Sequence, residues 1–374
     1  MKRIRQLDML RAVAVLLVIG CHLTWDPLWA RVGWTGVDLF FCLSGFLVSG
    51  LLFRDYKATG ELHWRRFIIR RGFKIYPAYY VLIFGTVIFY WIAGTPIQWQ
   101  HLWPDLFFVQ DYREGTWGHL WSLGIEEQFY FLLPLCLWVM ARQWPREPFR
   151  RLPWFCGLVA LACMAMRAIQ FYAVQPFHHF HHLRPFHLRF DALFFGVLLS
   201  YWNEFRPDLL KGAMQRRGRY VLAVSVVCVL PPLLFEQQAA FLYIFGLTLL
   251  YAGFGGILLY TLWHVSGEGV AVRWLSGIGR SSYSIYLWHL PIAWFAFSVM
   301  QGRWHWNRNV VFWTYVAASL AVGIGMANAI EYPVLRMRER WFPDGQASSS
   351  KRTRAQSVSF TGVGIPASAP RRAT

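Results

Sequence analysis

Arg11 and His22 stand eleven positions apart in an otherwise apolar stretch. At 100° per residue, eleven steps return to nearly the same helical face, offset by roughly 20°. At 1.5 Å per residue the two lie about 16 Å apart along the axis. Imidazole exchanges protons near neutral pH, and guanidinium binds anions. Taken singly, His22 reads as a packing histidine and Arg11 as a snorkelling cation. Their shared face within an apolar helix admits a second reading, in which both serve a site.

More polar residues fall where apolar ones are expected. Asp38 opens a stretch Gly36-Val37-Asp38-Leu39-Phe40-Phe41, followed by Ser44-Gly45. A carboxylate in a first helical turn is also explained by the helix dipole, and Ser44-Gly45 by close helix packing. Ser122 and Glu126 are four apart and share a face, with Glu127 adjacent. Two neighbouring carboxylates cannot both face lipid, so at least one points into a polar cavity, with pairing to Arg189 as the structural alternative. Arg189 and Asp191 lie together, His289 sits in Tyr286-Leu287-Trp288-His289, and Glu331 precedes Tyr332-Pro333. Arg70, Arg71 and Lys74 cluster just before Pro77. Such a cluster suits a phosphate ester, with acidic lipid headgroups as the competing partner.

The expected depths sort these residues. His22, Asp38, Ser122, Glu126, Arg189 and Asp191 fall in the outer half, while Arg11, Arg70, Arg71, Lys74 and Glu331 fall at the inner edge. A histidine with carboxylates above a basic belt fits a base beside an acceptor, supplied by an anionic donor from within. In that reading Asp38, Glu126 or Asp191 orients the imidazole or keeps it basic. The tract holding His178, His179, His181, His182 and His187 matches no zinc spacing and has no cysteine beside it, so no metal site is expected.

These side chains must be positioned by membrane helices. Of 374 residues, 56% are hydrophobic and 15% charged; a soluble domain is typically about a quarter charged. Ten apolar runs approach the length of about 20 residues that spans a bilayer: 9–26, 35–53, 74–94, 119–141, 153–173, 187–202, 219–235, 239–262, 280–300 and 309–330. Lipid-facing backbone must satisfy itself, so the expectation is an all-α polytopic bundle of about ten transmembrane helices in the lipid bilayer.

Lys and Arg total 37 against 19 Asp and Glu, a net charge of +18. With both termini in the cytoplasm, the outer loops hold only Arg31, Arg113, Arg184, Arg303 and Arg308. Arg11, Arg167 and Arg189 lie within spans, and every other basic residue falls in an inner segment. That asymmetry is the positive-inside pattern. Spread over so many segments, the charge is topogenic and gives no nucleic-acid surface. Asp8 and Arg11 interrupt the first apolar run, so it reads as a retained helix and not a cleaved signal. The Ser-, Ala-, Pro- and Arg-rich stretch 341–374 reads as a disordered cytoplasmic tail.

In order along the chain, Leu7-Asp8-Met9-Leu10-Arg11-Ala12 through His22, Gly36-Val37-Asp38-Leu39-Phe40-Phe41, Arg70-Arg71 through Pro77, Trp121-Ser122-Leu123 with Glu126-Glu127-Gln128, Arg189-Phe190-Asp191, Tyr283-Ser284-Ile285-Tyr286-Leu287-Trp288-His289 and Glu331-Tyr332-Pro333 resemble the membrane acyltransferase-3 family, bacterial O-acyltransferases of surface polysaccharides and antibiotics. The resemblance covers roughly residues 5–340, so 1–340 is expected to be one membrane domain in the cytoplasmic (inner) membrane of a bacterium. It implies transfer of an acyl group, usually acetyl, from cytosolic acyl-CoA to a hydroxyl of a surface glycan, lipid-linked glycan or small molecule, with no tightly bound cofactor. It points to Arg11 and His22 as the central pair and to Arg71 and Lys74 as a donor motif, where the family pattern has Arg in place of Lys74. Many relatives add an SGNH-hydrolase domain, for which the residues after the last span are too few. A transporter for an anion or lipid-linked glycan is the alternative that buried Arg, His and carboxylates would serve equally.

Overall fold

A computed structural model of the chain describes residues 4–22 and 27–342. The expected tail lies, from residue 343 onward, outside the described residues. Among those described there is no strand. The α-helices of eight residues or more are α1 (Arg5–Cys21), α2 (Gly36–Thr59), α3 (Trp64–Ile92), α4 (Trp99–Leu106), α5 (Trp121–Gln143), α6 (Leu152–Ala173) and α7 (Phe190–Phe205). They continue as α8 (Pro207–Cys228), α9 (Leu247–His264), α10 (Val270–Arg280), α11 (Ser282–Phe295), α12 (Arg308–Met326) and α13 (Tyr332–Trp341). Among the described residues seven helical stretches are long and apolar enough to cross a membrane. Their outward faces carry large apolar side chains such as Trp91, Trp154, Tyr172 and Trp313, as a lipid-facing surface requires.

Ion pairs identify one end of the bundle. Arg5 bonds Glu268, Arg54 bonds Glu204 and Arg70 bonds Glu339, joining α1 to the α9–α10 connection, α2 to α7 and α3 to α13 there. We call this the basic end. At the opposite end the connections cross-link, with Tyr112 Oη against His187 Nδ1 at 2.9 Å and Arg31 donating to the Pro232 carbonyl.

Two crossings set the interior. α2 and α7 approach backbone to backbone at Gly45 and Gly196: a Cβ on Gly45 would overlap the Leu193 carbonyl oxygen, and one on Gly196 the Cys42 carbonyl oxygen. Small residues of this kind let membrane helices pack closely. α10 meets α1 in the same way, because a Cβ on Gly279 would overlap the Asp8 carbonyl oxygen.

Several elements differ from the sequence expectation. The first helix ends at Cys21 and not 26, and His22 is its C-cap. The sixth run begins as a 3-10 turn, Phe186–Leu188, and becomes helix only at Phe190. The stretch before residue 280, expected as an inner connection, folds as α10 alongside α1. The chain then turns at Ser281 and resumes as α11. A strong amphipathic pattern, with Arg273 and Arg280 outside and Val272 and Ser276 buried, makes α10 a helix. Finally, the backbone passes from α12 into α13 through a π segment, Ala327–Glu331, which sets Glu331 inward.

Candidate active site

At the basic end a cavity of about 410 Å³ opens between α2, α3 and α13. Its wall carries six cations, Arg54, Arg66, Arg70, Arg71, Lys74 and Arg338, against the carboxylates of Asp55 and Glu339. All three residues of the expected anion cluster are here, but they differ in how they are held. Arg70 donates to Glu339 at 2.9 Å and to the Phe342 carbonyl. Lys74 is ion-paired with Glu331, which also accepts from Ser284 at 2.8 Å. Arg71 makes no ion pair with a described residue; its guanidinium lies 5.6 Å from each of the Phe67 and Tyr130 ring centroids. A cation supported on aromatic faces keeps its N–H donors available to an anion. Arg54, Arg66 and Arg338 were hidden in sequence because loop and terminal cations read as topogenic.

Arg71 also marks the way inward. Tyr130, beneath it, donates to Glu126 at 2.6 Å and exchanges a 2.7 Å hydrogen bond with Ser44. Beyond this chain of side chains lies a neck of about 40 Å³, lined by Arg11, Phe40, Ser122, Glu126, Ser282 and Tyr286. Ser122 and Glu126 share it, as their spacing predicts. Arg11 and Glu126, assigned to opposite depths, line the same neck. Arg11 is seven residues into α1, about 10 Å from its start, and Glu126 is a turn and a half into α5. Arg11 makes no ion pair with a described residue but lies within electrostatic reach of Glu126, Arg71 and Lys74.

Val37 and Tyr286 wall both the neck and an outer cavity of about 350 Å³. His22 is exposed on this cavity, together with Trp34, His119, Trp121, Arg184 and Arg189. Behind it stand two buried imidazoles: His289 has its ring centroid 5.1 Å from that of His22, and His119 lies 4.8 Å beyond His289. His119 was not singled out from sequence. It sits just before α5 begins, so no helical phase relates it to Ser122 and Glu126. Tyr286 Oη bonds Ser122 at 2.7 Å and donates to the His119 carbonyl at 2.8 Å, fixing the wall between neck and outer cavity.

Two buried carboxylates pair with arginines. Asp38 binds Arg189 at 2.8 Å and Asp191 binds Arg167 at 2.9 Å, all four nearly inaccessible. Asp38 and Asp191, expected to orient the imidazole, are therefore committed to arginines, and Arg189 does not serve Glu126 or Glu127. Glu127 instead accepts from Tyr76 at 2.6 Å. Among the described residues no carboxylate hydrogen-bonds His22. Losing one partner of such a buried pair costs about 3–5 kcal/mol, so these pairs brace the cavity floor. In the histidine tract, His182 is buried and bonds the carbonyls of Val174 and His178, holding the loop beside the outer cavity.

The connection between α3 and α5 carries His119 and is pinned by two buried carboxylates outside the spans. Asp105 accepts from the Thr116 backbone and hydroxyl at 2.7 and 2.6 Å, and Asp111 accepts from Gln128 at 2.8 Å and the Phe186 amide at 3.2 Å. Burial raises both carboxyls to about 6, more than these hydrogen bonds lower them.

A family model described as an acyltransferase domain matches residues 4–328. The chain belongs to the membrane acyltransferase-3 family. Its relatives include the peptidoglycan O-acetyltransferase OatA of Listeria monocytogenes, 31% identical over 317 residues, which cover 78% of this chain and 49% of that protein. YrhL of Bacillus subtilis, provisionally named as a peptidoglycan O-acetyltransferase, is 29% identical over 337 residues, covering 83% and 51%. A protein of Staphylococcus aureus strain COL, provisionally named as an O-acetyltransferase, is 28% identical over 333 residues, covering 80% and 52%. The chain thus spans about half the length of the curated relatives it matches. No solved structure matches it. Within this acyltransferase-3 domain the basic cavity lies between α2, α3 and α13, and the neck and outer cavity lie between α1, α2, α5 and α11, so α2 borders all three.

Proposed function

We propose that this acyltransferase-3 chain moves an acetyl group from cytosolic acetyl-CoA to a hydroxyl of a glycan on the far side of the cytoplasmic membrane of a bacterium. In this reading ten helical units cross the bilayer, with α10 and α11 together forming one. Both termini and the basic end are cytoplasmic, as the distribution of Lys and Arg favours. The relatives' names make a cell-wall glycan the first acceptor class to test.

The observation that carries the reading is the series of three cavities that hold in turn Arg71, Arg11 and His22, the two cations making no ion pair with a described residue. The CoA phosphates dock on Arg70, Arg71 and Lys74, helped by Arg54, Arg66 and Arg338. The thioester arm passes Tyr130 into the neck, where Arg11 faces the carbonyl oxygen on which negative charge develops. His22 takes the proton of the acceptor hydroxyl while that oxygen forms a bond to the thioester carbon. The C–S bond then breaks, and the leaving CoA thiolate takes the proton from His22. The same nitrogen also suits a two-step route, in which it first accepts the acetyl group and then yields it to the hydroxyl.

Transfer of radiolabelled acetyl from acetyl-CoA to cell-wall glycan by purified protein in vesicles tests this. His22→Ala is expected to abolish transfer while the protein still inserts and keeps its Tm. Near-normal transfer in that variant sinks the mechanism, and glycan movement that proceeds without acetyl-CoA favours transport instead.

A further inference from the structure

A catalytic histidine often has a carboxylate behind it; His22 has another imidazole, His289. A base of this kind works only in one tautomer: the nitrogen facing the hydroxyl must carry the lone pair, and the other must carry the proton. The second N–H needs an acceptor, both to fix that tautomer and to stabilise the imidazolium formed in the reaction. No carboxylate among the described residues supplies one. The two imidazoles behind His22 carry acceptor nitrogens.

Backbone carbonyls only accept, so each histidine nitrogen that bonds one carries the proton. His289 Nδ1 bonds the Tyr286 carbonyl, and His119 Nε2 bonds the Leu287 carbonyl at 3.1 Å. As neutral rings, His289 therefore holds a lone pair at Nε2 and His119 one at Nδ1. Both of these nitrogens are buried and have no hydrogen-bond partner. An unsatisfied buried acceptor costs about 1–3 kcal/mol, so such atoms stand ready for a donor. Of the two rings, His289 is the one whose centroid lies 5.1 Å from His22. Two imidazoles joined in line by an N–H···N bond of about 2.9 Å have centroids about 5 Å apart, because each nitrogen sits little more than 1 Å from its ring centre. His22, as the C-cap of α1, stands beyond the last helical turn, so its ring can rotate about its own side-chain bonds onto that line.

Resting on the acyl-transfer reading for its catalytic meaning, we infer that His289 is the positioning residue for His22: His289 Nε2 accepts the His22 N–H and so turns the other His22 nitrogen, as a lone pair, into the outer cavity. The tautomer of His289 is itself fixed by the Tyr286 carbonyl. His119 stands behind, its ring centroid 4.8 Å from that of His289 and its own acceptor nitrogen buried. His289 touches neither donor nor acceptor, as it lines none of the three cavities.

Two substitutions separate this role from packing. His289→Phe keeps the ring and removes the acceptor; His289→Gln keeps an acceptor oxygen on a flexible chain. Placing a catalytic histidine in the wrong tautomer costs about 10⁴-fold in serine proteases, and a neutral imidazole partner is weaker than a carboxylate. The expectation is a loss in kcat of at least about a hundredfold for His289→Phe and within about tenfold for His289→Gln, with acetyl-CoA KM unchanged in both. The second readout needs no turnover. In full-length protein labelled with ¹⁵N-histidine and held in lipid nanodiscs, the His22 signals, assigned by their loss in His22→Ala, should report one neutral tautomer in the wild type and in His289→Gln. In His289→Phe they should report a mixture. A single unchanged tautomer in His289→Phe, a mixture in the wild type, or equal loss of kcat in both variants overturns the inference. Absence of acetyl transfer by the wild type, with the tautomer still dependent on residue 289, would overturn the acyl-transfer reading alone.

Discussion

Arg71 lies between the basic cavity and the neck, with aromatic rings where a carboxylate would otherwise neutralise it. Arg70 and Lys74, its neighbours in sequence, are both ion-paired. The three are therefore unequal, and Arg71→Ala should weaken donor binding most. A hydrogen bond to a charged group is worth about 1.5–3 kcal/mol, so acetyl-CoA KM should rise roughly ten- to hundredfold with kcat little changed, and Arg71→Lys should recover part of it. Steady-state kinetics at varied acetyl-CoA decide this; an unchanged KM removes Arg71 from the donor site. At this scale sequence spacing was informative wherever partners share a helix. Ser122 with Glu126, and Arg70, Arg71 with Lys74, follow from helical phase alone. Asp38 and Arg189 did not, because they meet across 151 positions, and a carboxylate beside a histidine motif reads as its helper until its partner is seen. His119 and His289 approach each other only through folding, which no local period encodes.

The elements show why the site residues meet. Arg11 on α1 and Ser282 at the start of α11 both line the neck. They do so because α10 lies against α1 with no side chain between them at Gly279. Gly279→Ala should force the two helices apart at an overpacking cost of about 1–3 kcal/mol, lowering Tm and acetyl transfer together. Gly277→Ala is the control, since a Cβ there meets nothing within 4 Å. Thermal unfolding in detergent compares the two, and equal tolerance would show that the crossing is not what sets the neck. The apolar runs of the sequence correspond to helices, because hydropathy reports lipid contact directly. The break at Ser281 and the helix before it were not legible. α10 carries its polar face outward with two arginines, and a short amphipathic helix beside charged termini has the composition of a loop.

On the scale of the whole molecule, the excess of positive charge orders the bundle as well as anchoring it. The basic end gathers the ion pairs of Arg5, Arg54 and Arg70 and the mouth of the basic cavity near them. Orientation can be read with single cysteines introduced into protein cleared of its six native ones. A cysteine at Thr59, at the basic end of α2, should react with a membrane-impermeant maleimide only from the cytoplasmic side. A cysteine at Asn307, which caps α12 at the other end, should react only from outside. The reverse pattern would place the donor mouth outside the cell and sink the cytosolic-donor reading.

The neck between the two larger cavities has a volume of only about 40 Å³. A water needs about 10–15 Å³ measured in this way, so the passage holds about three groups of that size. An acetyl group, with two carbons and one oxygen, fills it. A chain of eight carbons does not, unless Tyr130 and Tyr286 swing away together. The dimension that joins donor to base is thus also a sieve. Under the proposed transfer it would grade acyl donors by length before any chemistry begins.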